Sequence, residues 1–184
     1  SAVAPVRAVQ IPLQIRSTFA PELPGTRIGF EAGAGLEEAG VVGFAGRREV
    51  AMLRVLFREE ARPDADALVR ACLAQRGIEV FHSSQGVEGL CLLLIAKPGQ
   101  DALHAACDEV RRLLPGAQVK LRENLAALLA LCRTTREVPK LAAAMESAGV
   151  PVHHLVQTPP GALFCVNDSQ YETALRAAYT AAFG

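Results

Sequence analysis

The side chains able to do chemistry gather in a few short stretches. Arg58-Glu59-Glu60-Ala61-Arg62-Pro63-Asp64 is a charged loop running into a helical pattern, and His82-Ser83-Ser84-Gln85 closes an apolar run a few residues later. A loop and helix start of this kind offers backbone amides and charged groups to a small ligand. His82 and its neighbours fit either a polar strand end or a ligand contact. His153 and His154 are adjacent on a predicted strand, so they face opposite sides and do not chelate one metal ion together. His104 lies on a helix with only Cys107 near it in sequence, which reads as a surface position. Cys72, Cys91, Cys107, Cys132 and Cys165 are odd in number and well separated. They read as buried free thiols of a reducing, cytoplasmic setting. No Ser, His and Asp spacing forms a nucleophile elbow, so no catalytic residue and no metal ligand is expected.

The elements that position these groups follow from hydrophobic period. Val50–Phe57 reads as a half-buried strand. Ala65, Leu68, Val69, Cys72 and Leu73 then mark one face of a helix that stops at Gly77. Ile78–Ser84 and Leu90–Ile95 read as a hairpin around Gln85–Gly89. Asp101–Leu114, with Ala102, Ala105, Ala106, Val110, Leu113 and Leu114 at helical spacing, is a second helix, and Ala117–Leu121 a fourth strand. Strand, helix, strand, strand, helix, strand is the order of a ferredoxin-like module.

The order then recurs. Leu125–Cys132 reads as a strand, Arg133–Pro139 as a loop and Lys140–Ala148 as a helix. Val150–Gln157 and Ala162–Val166 read as two strands, and Asp168–Phe183 as a closing helix with Asp168 its N-cap. That helix places Tyr171, Leu175, Ala178 and Tyr179 on one face, suited to packing or an interface. The second copy lacks a final strand, which the apolar run Val41–Ala45 is placed to supply. The first module would then be inserted in the second.

Composition narrows the function. Lys plus Arg and Asp plus Glu are equal at 19 each, so no net field draws the chain to nucleic acid or an anionic membrane. Trp is absent and Tyr occurs twice, too few aromatics for base-stacking platforms. No run approaches the roughly 18 apolar residues of a membrane span. Glu31–Gly40 is small and acidic, as a mobile linker would be. Ser1 without a preceding Met reads as a cut end.

Ile11-Pro12-Leu13-Gln14-Ile15-Arg16-Ser17-Thr18-Phe19-Ala20-Pro21-Glu22-Leu23-Pro24-Gly25-Thr26-Arg27-Ile28 closely resembles the segment that ends the kinase domain of aspartokinases. The rest resembles their regulatory half, a pair of ACT domains. The resemblance implies an α+β chain with three parts. Residues 1–40 would be the end of a kinase domain and a linker, 46–123 the first ACT domain, and 41–45 with 124–184 the second. It implies a homodimer formed through ACT domains and an amino-acid effector such as lysine or threonine. The effector would sit between Arg58, Arg62, Asp64 and Ala65 on one wall and Val80, Phe81, His82, Ser84 and Gln85 on the other. No cofactor is implied in this chain, whereas the parent kinase would use ATP and Mg. A purely dimerising module, or one that binds a different ligand, is the alternative.

Several residues depart from the family pattern. Phe81 stands where the family commonly has an acid able to pair with an effector's ammonium. Pro63-Asp64 replaces Pro-Gly, so Asp64 and Asp66 add negative charge where a carboxylate would dock, with Arg58 or Arg62 available to offset it. Ser17 and Ala20 replace Asn residues of the linker motif. There is no Lys-Phe-Gly-Gly and no Gly-rich phosphate loop, so the chain alone is not expected to phosphorylate anything.

Overall fold

A computed structural model describes residues 9, 11–28, 40–57, 63–87, 89–95, 100–158 and 161–184. The chain divides into two compact units, Ser1–Ala39 and Gly40–Gly184. In the first, β1 (Leu13–Ile15) pairs antiparallel with β2 (Thr26–Ile28). Gly25 takes φ +66° with its Cα against the Ile15 carbonyl, where a side chain has no room. This unit leaves apolar groups uncovered, Phe19 being 98% exposed. The expected linker 31–39 lies outside the described residues.

The second unit is built on two long strands, β3 (Val41–Leu56) and β6 (Gln118–Cys132). Between them in sequence come α1 (Ala65–Gln75), β4 (Val80–Gly86), β5 (Gly89–Ile95) and α2 (Gln100–Leu113). After them come α3 (Val138–Ser147), β7 (His154–Thr158), β8 (Gly161–Asn167) and α4 (Tyr171–Phe183). Among the described residues the sheet has six strands in the order β4-β5-β3-β6-β8-β7, every neighbour antiparallel.

This order contains the ferredoxin-like arrangement twice. In the first module β4, β5, the Val50–Leu56 half of β3 and the Gln118–Arg122 half of β6 lie side by side. In the second, β7, β8 and the Leu125–Cys132 half of β6 are completed by residues 41–47 of β3, Val41 opposite Cys132. The strand missing from the second copy is thus drawn from ahead of the first.

Sequence reading breaks both long strands, at Gly46–Glu49 and at Arg122–Asn124, because polar residues there resemble loops. They are points where continuous strands bend. Pairing slips between Arg47 and Val50, Glu49 has φ 57° and Asn124 φ 55°. An irregularity of this kind increases local twist. As a result, Ala51, Leu53 and Val55 face α1 and α2, while Ala126, Leu128 and Ala130 face α3 and α4, each set buried in its own core.

Val50, Met52, Leu125 and Ala127 point to the opposite, helix-free face. There they join Cys91, Leu93, Leu163 and Cys165 in a third buried cluster. The sheet curls until its two outermost strands meet, with Ser84 Oγ of β4 3.5 Å from His154 Nε2 of β7. We call this buried contact between the modules the seam.

Three local expectations are corrected. Pro139, read as loop, lies in the first turn of α3, where its missing N–H costs no hydrogen bond. Asp168 does not cap a helix. It opens a 3-10 turn, Asp168–Gln170, and its carboxylate instead pairs with the Arg48 guanidinium at 2.6 Å. On α2, Ala105 is exposed, and Leu103 and Cys107 take its place in the core.

Candidate functional site

The helix start of the first module is ordered by ion pairing along α1. Asp64 is exposed, and its carbonyl accepts the Leu68 N–H at 3.0 Å. Ala65 is buried in the first core. Asp66 is engaged by Arg70 Nε at 2.7 Å, and Arg70 Nη2 donates to Ser83 Oγ on β4. The negative charge expected from Asp66 at this end is therefore already met by Arg70, and the pair fastens α1 to the strand. Arg58 and Arg62 lie outside the described residues.

The expected second wall divides between the two faces of the sheet. Val80 is opposite Leu94 and packs on the first core; Ser83 is opposite Leu92 and Gln85 opposite Leu90, all on the helix side. A bulge between Val80 and His82 breaks the alternation. Past it, Phe81 packs against the seam, His82 is opposite Leu93, and Ser84 is opposite Cys91. The structure thus groups Asp64, Ala65, Val80 and Gln85 with the helix side. It turns Phe81, His82 and Ser84 toward the second module.

In the seam, Phe81 lies under the Arg47 guanidinium, 5.6 Å from ring centroid to Cζ, a cation–π distance. Among the described residues His82 Nε2 is buried and has no hydrogen-bond partner. Burial holds the His82 imidazole below the ordinary histidine range. Burial likewise lowers His154, with the charges of His82 and Arg54 adding to the effect. His154 Nδ1 is 3.8 Å from Cys91 Sγ. His153, on the opposite side as its position predicts, lies 2.8 Å from Asn167 Oδ1 and from Arg122 Nη1. His104 is exposed and pairs with Glu123 at 3.0 Å, a partner that sequence proximity did not reveal.

The five thiols are all free and buried. Burial, reinforced by Cys91, pushes Cys165 up to about 12, and burial raises Cys107 to about 11, so neither supplies a thiolate at neutral pH. Among the described residues no group of three His, Cys, Asp or Glu is disposed to hold a metal ion, and no helix is long and apolar enough to cross a membrane.

The mixed α+β fold, a curled antiparallel sheet with four helices among the described residues, matches that of aspartokinase regulatory ACT domains. The structural neighbours of this chain are aspartate kinases and their regulatory subunits. Aspartate kinase from Clostridium acetobutylicum superposes with a TM-score of 0.84 at 19% identity, over 98% of this chain and 43% of that enzyme. The ligand-free regulatory subunit of aspartate kinase from Thermus thermophilus gives 0.63 at 26% identity, over 79% of this chain and 99% of the subunit. Escherichia coli aspartokinase III in complex with lysine and aspartate gives 0.73 at 16% identity, over 99% and 41%. The chain therefore spans less than half the length of the full kinases. Its sequence matches no family model and no curated protein.

Proposed function

We propose that this chain is the regulatory region of an aspartokinase-like enzyme of aspartate-family amino-acid biosynthesis, and that it senses an amino acid and dimerises through its ACT modules. The observation that carries this reading is the alignment with a free-standing regulatory subunit over 99% of that subunit's length. The E. coli neighbour's complex with lysine supports an amino-acid effector, lysine or threonine. We place the effector at the helix-side wall, Asp64, Ala65, Val80 and Gln85; Arg58 and Arg62, which the resemblance adds to this wall, lie outside the described residues. The domain division follows as stated from the sequence: 1–40 as the end of a kinase domain and linker, 46–123, and 41–45 with 124–184. ATP and Mg belong to the parent kinase, and the five free thiols favour a reducing cytoplasm. An effector shifts such a system only through unequal affinity for its two states.

One observation favours the dimerising alternative. Phe81 replaces the acid expected for an ammonium and is packed in the seam. Calorimetric titration with lysine and with threonine, combined with sedimentation of the ligand-free chain, separates the readings. Saturable binding of one amino acid supports sensing. A dimer without binding supports the alternative, and a monomer that binds neither sinks both.

A further inference from the structure

A cavity of ≈ 780 Å³ opens along the free edge of β6, between α2 and the segment entering β7. Its size lies in the range of small-molecule sites. Four full cations line it, Arg54, Arg111, Lys120 and Arg122, against two carboxylates, Asp108 and Glu123. Both carboxylates are already engaged: Asp108 with Arg111 at 2.6 Å, and Glu123 with His104 at 3.0 Å. Among the described residues no carboxylate pairs with Arg54, Lys120 or Arg122.

Arg54 and Lys120 are direct cross-strand partners, so they project from the same face. Like charges in that position destabilise a sheet. Arg122 is aimed rather than neutralised. His153 Nε2 donates to Asn167 Oδ1 at 2.8 Å, and Arg122 Nη1 lies 2.8 Å from His153 Nδ1 and 3.0 Å from its Nε2. Asn167 in turn donates to Gln170 Oε1 at 2.8 Å. A row of hydrogen-bonded side chains thus holds a guanidinium beside two further cations, in a chain whose net charge is zero.

We propose that this cavity binds a small ligand carrying at least two anionic groups, phosphate or carboxylate, held between Arg54 and Lys120 on the sheet and Arg122 beside them. Guanidinium forks suit both kinds of oxyanion. The concave shape and the two flanking carboxylates disfavour a nucleic-acid strand. The site shares no residue with the effector wall and stands independently of it. It lies on β6, which belongs to both modules, so occupancy bears on both.

The test is calorimetric titration of the whole chain with pyrophosphate and, separately, with citrate, each against sodium chloride at matched ionic strength. Saturable binding of at least one probe is expected, weakened about tenfold or more in Arg54→Gln, Lys120→Gln and Arg122→Gln, as loss of a charge-assisted contact implies. The preferred probe tells a phosphate site from a carboxylate site. Without a probe, Lys120→Gln is expected to raise the melting temperature by relieving repulsion from Arg54. The proposal is overturned if neither probe binds beyond the chloride control, if all three variants bind within about twofold of the parent, or if Lys120→Gln melts lower than the parent.

Discussion

The two modules share one strand order and differ at the starts of their first helices. In the first, the helix start carries Asp64 and Asp66, and Asp66 is tied through Arg70 to β4. In the second, Glu137 stands at the N-cap of α3 and no acid lies in its first turn, while Arg133, Arg136 and Lys140 lie exposed around it. The first start therefore holds its acid in an ion pair, whereas the second sets three exposed cations around one N-cap carboxylate. The hairpin strands differ as well: β4 is bulged and sends Phe81 and His82 into the seam, whereas β7 pairs with β8 without a register break. The strand frame is thus the same in both modules while the electrostatics of equivalent positions differ.

Shared strands predict that the modules do not melt separately. Phe164→Ala in the second core and Leu92→Ala in the first should cost about 3–5 and 2–5 kcal/mol respectively. Each is expected to lower one transition seen alike in both halves. Hydrogen exchange read by mass spectrometry checks this, and protection that persists in α1 and β5 while α3 and β8 exchange would break the comparison.

Restoring the acid at position 81 sharpens the contrast between the sheet faces. Phe81→Asp places a carboxylate against the apolar seam and should cost at least about 1–3 kcal/mol. It should not create lysine binding, since the side chain points away from the helix-side wall. Lysine affinity gained by this variant in calorimetry would instead put the effector in the seam.

The histidines of the seam give a pH signature. Their folded-state affinity for protons is below that of the unfolded chain, so the unfolded state takes up more protons on acidification. Their contribution is intact above the ordinary histidine value of 6.5 and is lost as pH falls below it. Melting temperatures measured between pH 8 and pH 5 should fall below about 6.5, and the fall should flatten in His82→Leu combined with His154→Leu. An unchanged slope in the double variant would show that other groups govern acid sensitivity.

The smallest effect is expected at the surface. Asp168 is held below the usual carboxylate range by its hydrogen bond to Arg48. Asp168→Asn should lower the melting temperature slightly in dilute buffer, and the difference should close in about 1 M salt, where screening acts over roughly 3 Å.

Much of this architecture was legible because period and punctuation agree. The β4–β5 hairpin, the buried face of α1, part of that of α2, and the need for a strand from ahead of Val50 follow from residue pattern. The joins were not legible. Gly46–Glu49 and Arg122–Asn124 are polar because each long strand changes its buried side there, and a one-dimensional pattern scores such a point as a loop. The sidedness of the candidate site failed for a related reason. The bulge after Val80 shifts Phe81 and His82 out of simple alternation, and no residue type announces it. Arg54 and Lys120 are far apart in sequence and meet only through strand pairing, so the basic edge had no motif to betray it.

The shared strands also govern the order in which the chain can assemble during its synthesis. Val41 pairs with Cys132, 91 residues later. At translation rates of about 5–20 residues per second, that partner emerges roughly 5 to 18 s behind it. Through this interval Val42 and Phe44 lie on a strand with no neighbour, even after Val50–Leu56 has been able to pair with β5. The newborn chain therefore passes through a stage in which one module is nearly complete while an adhesive ribbon trails from its front.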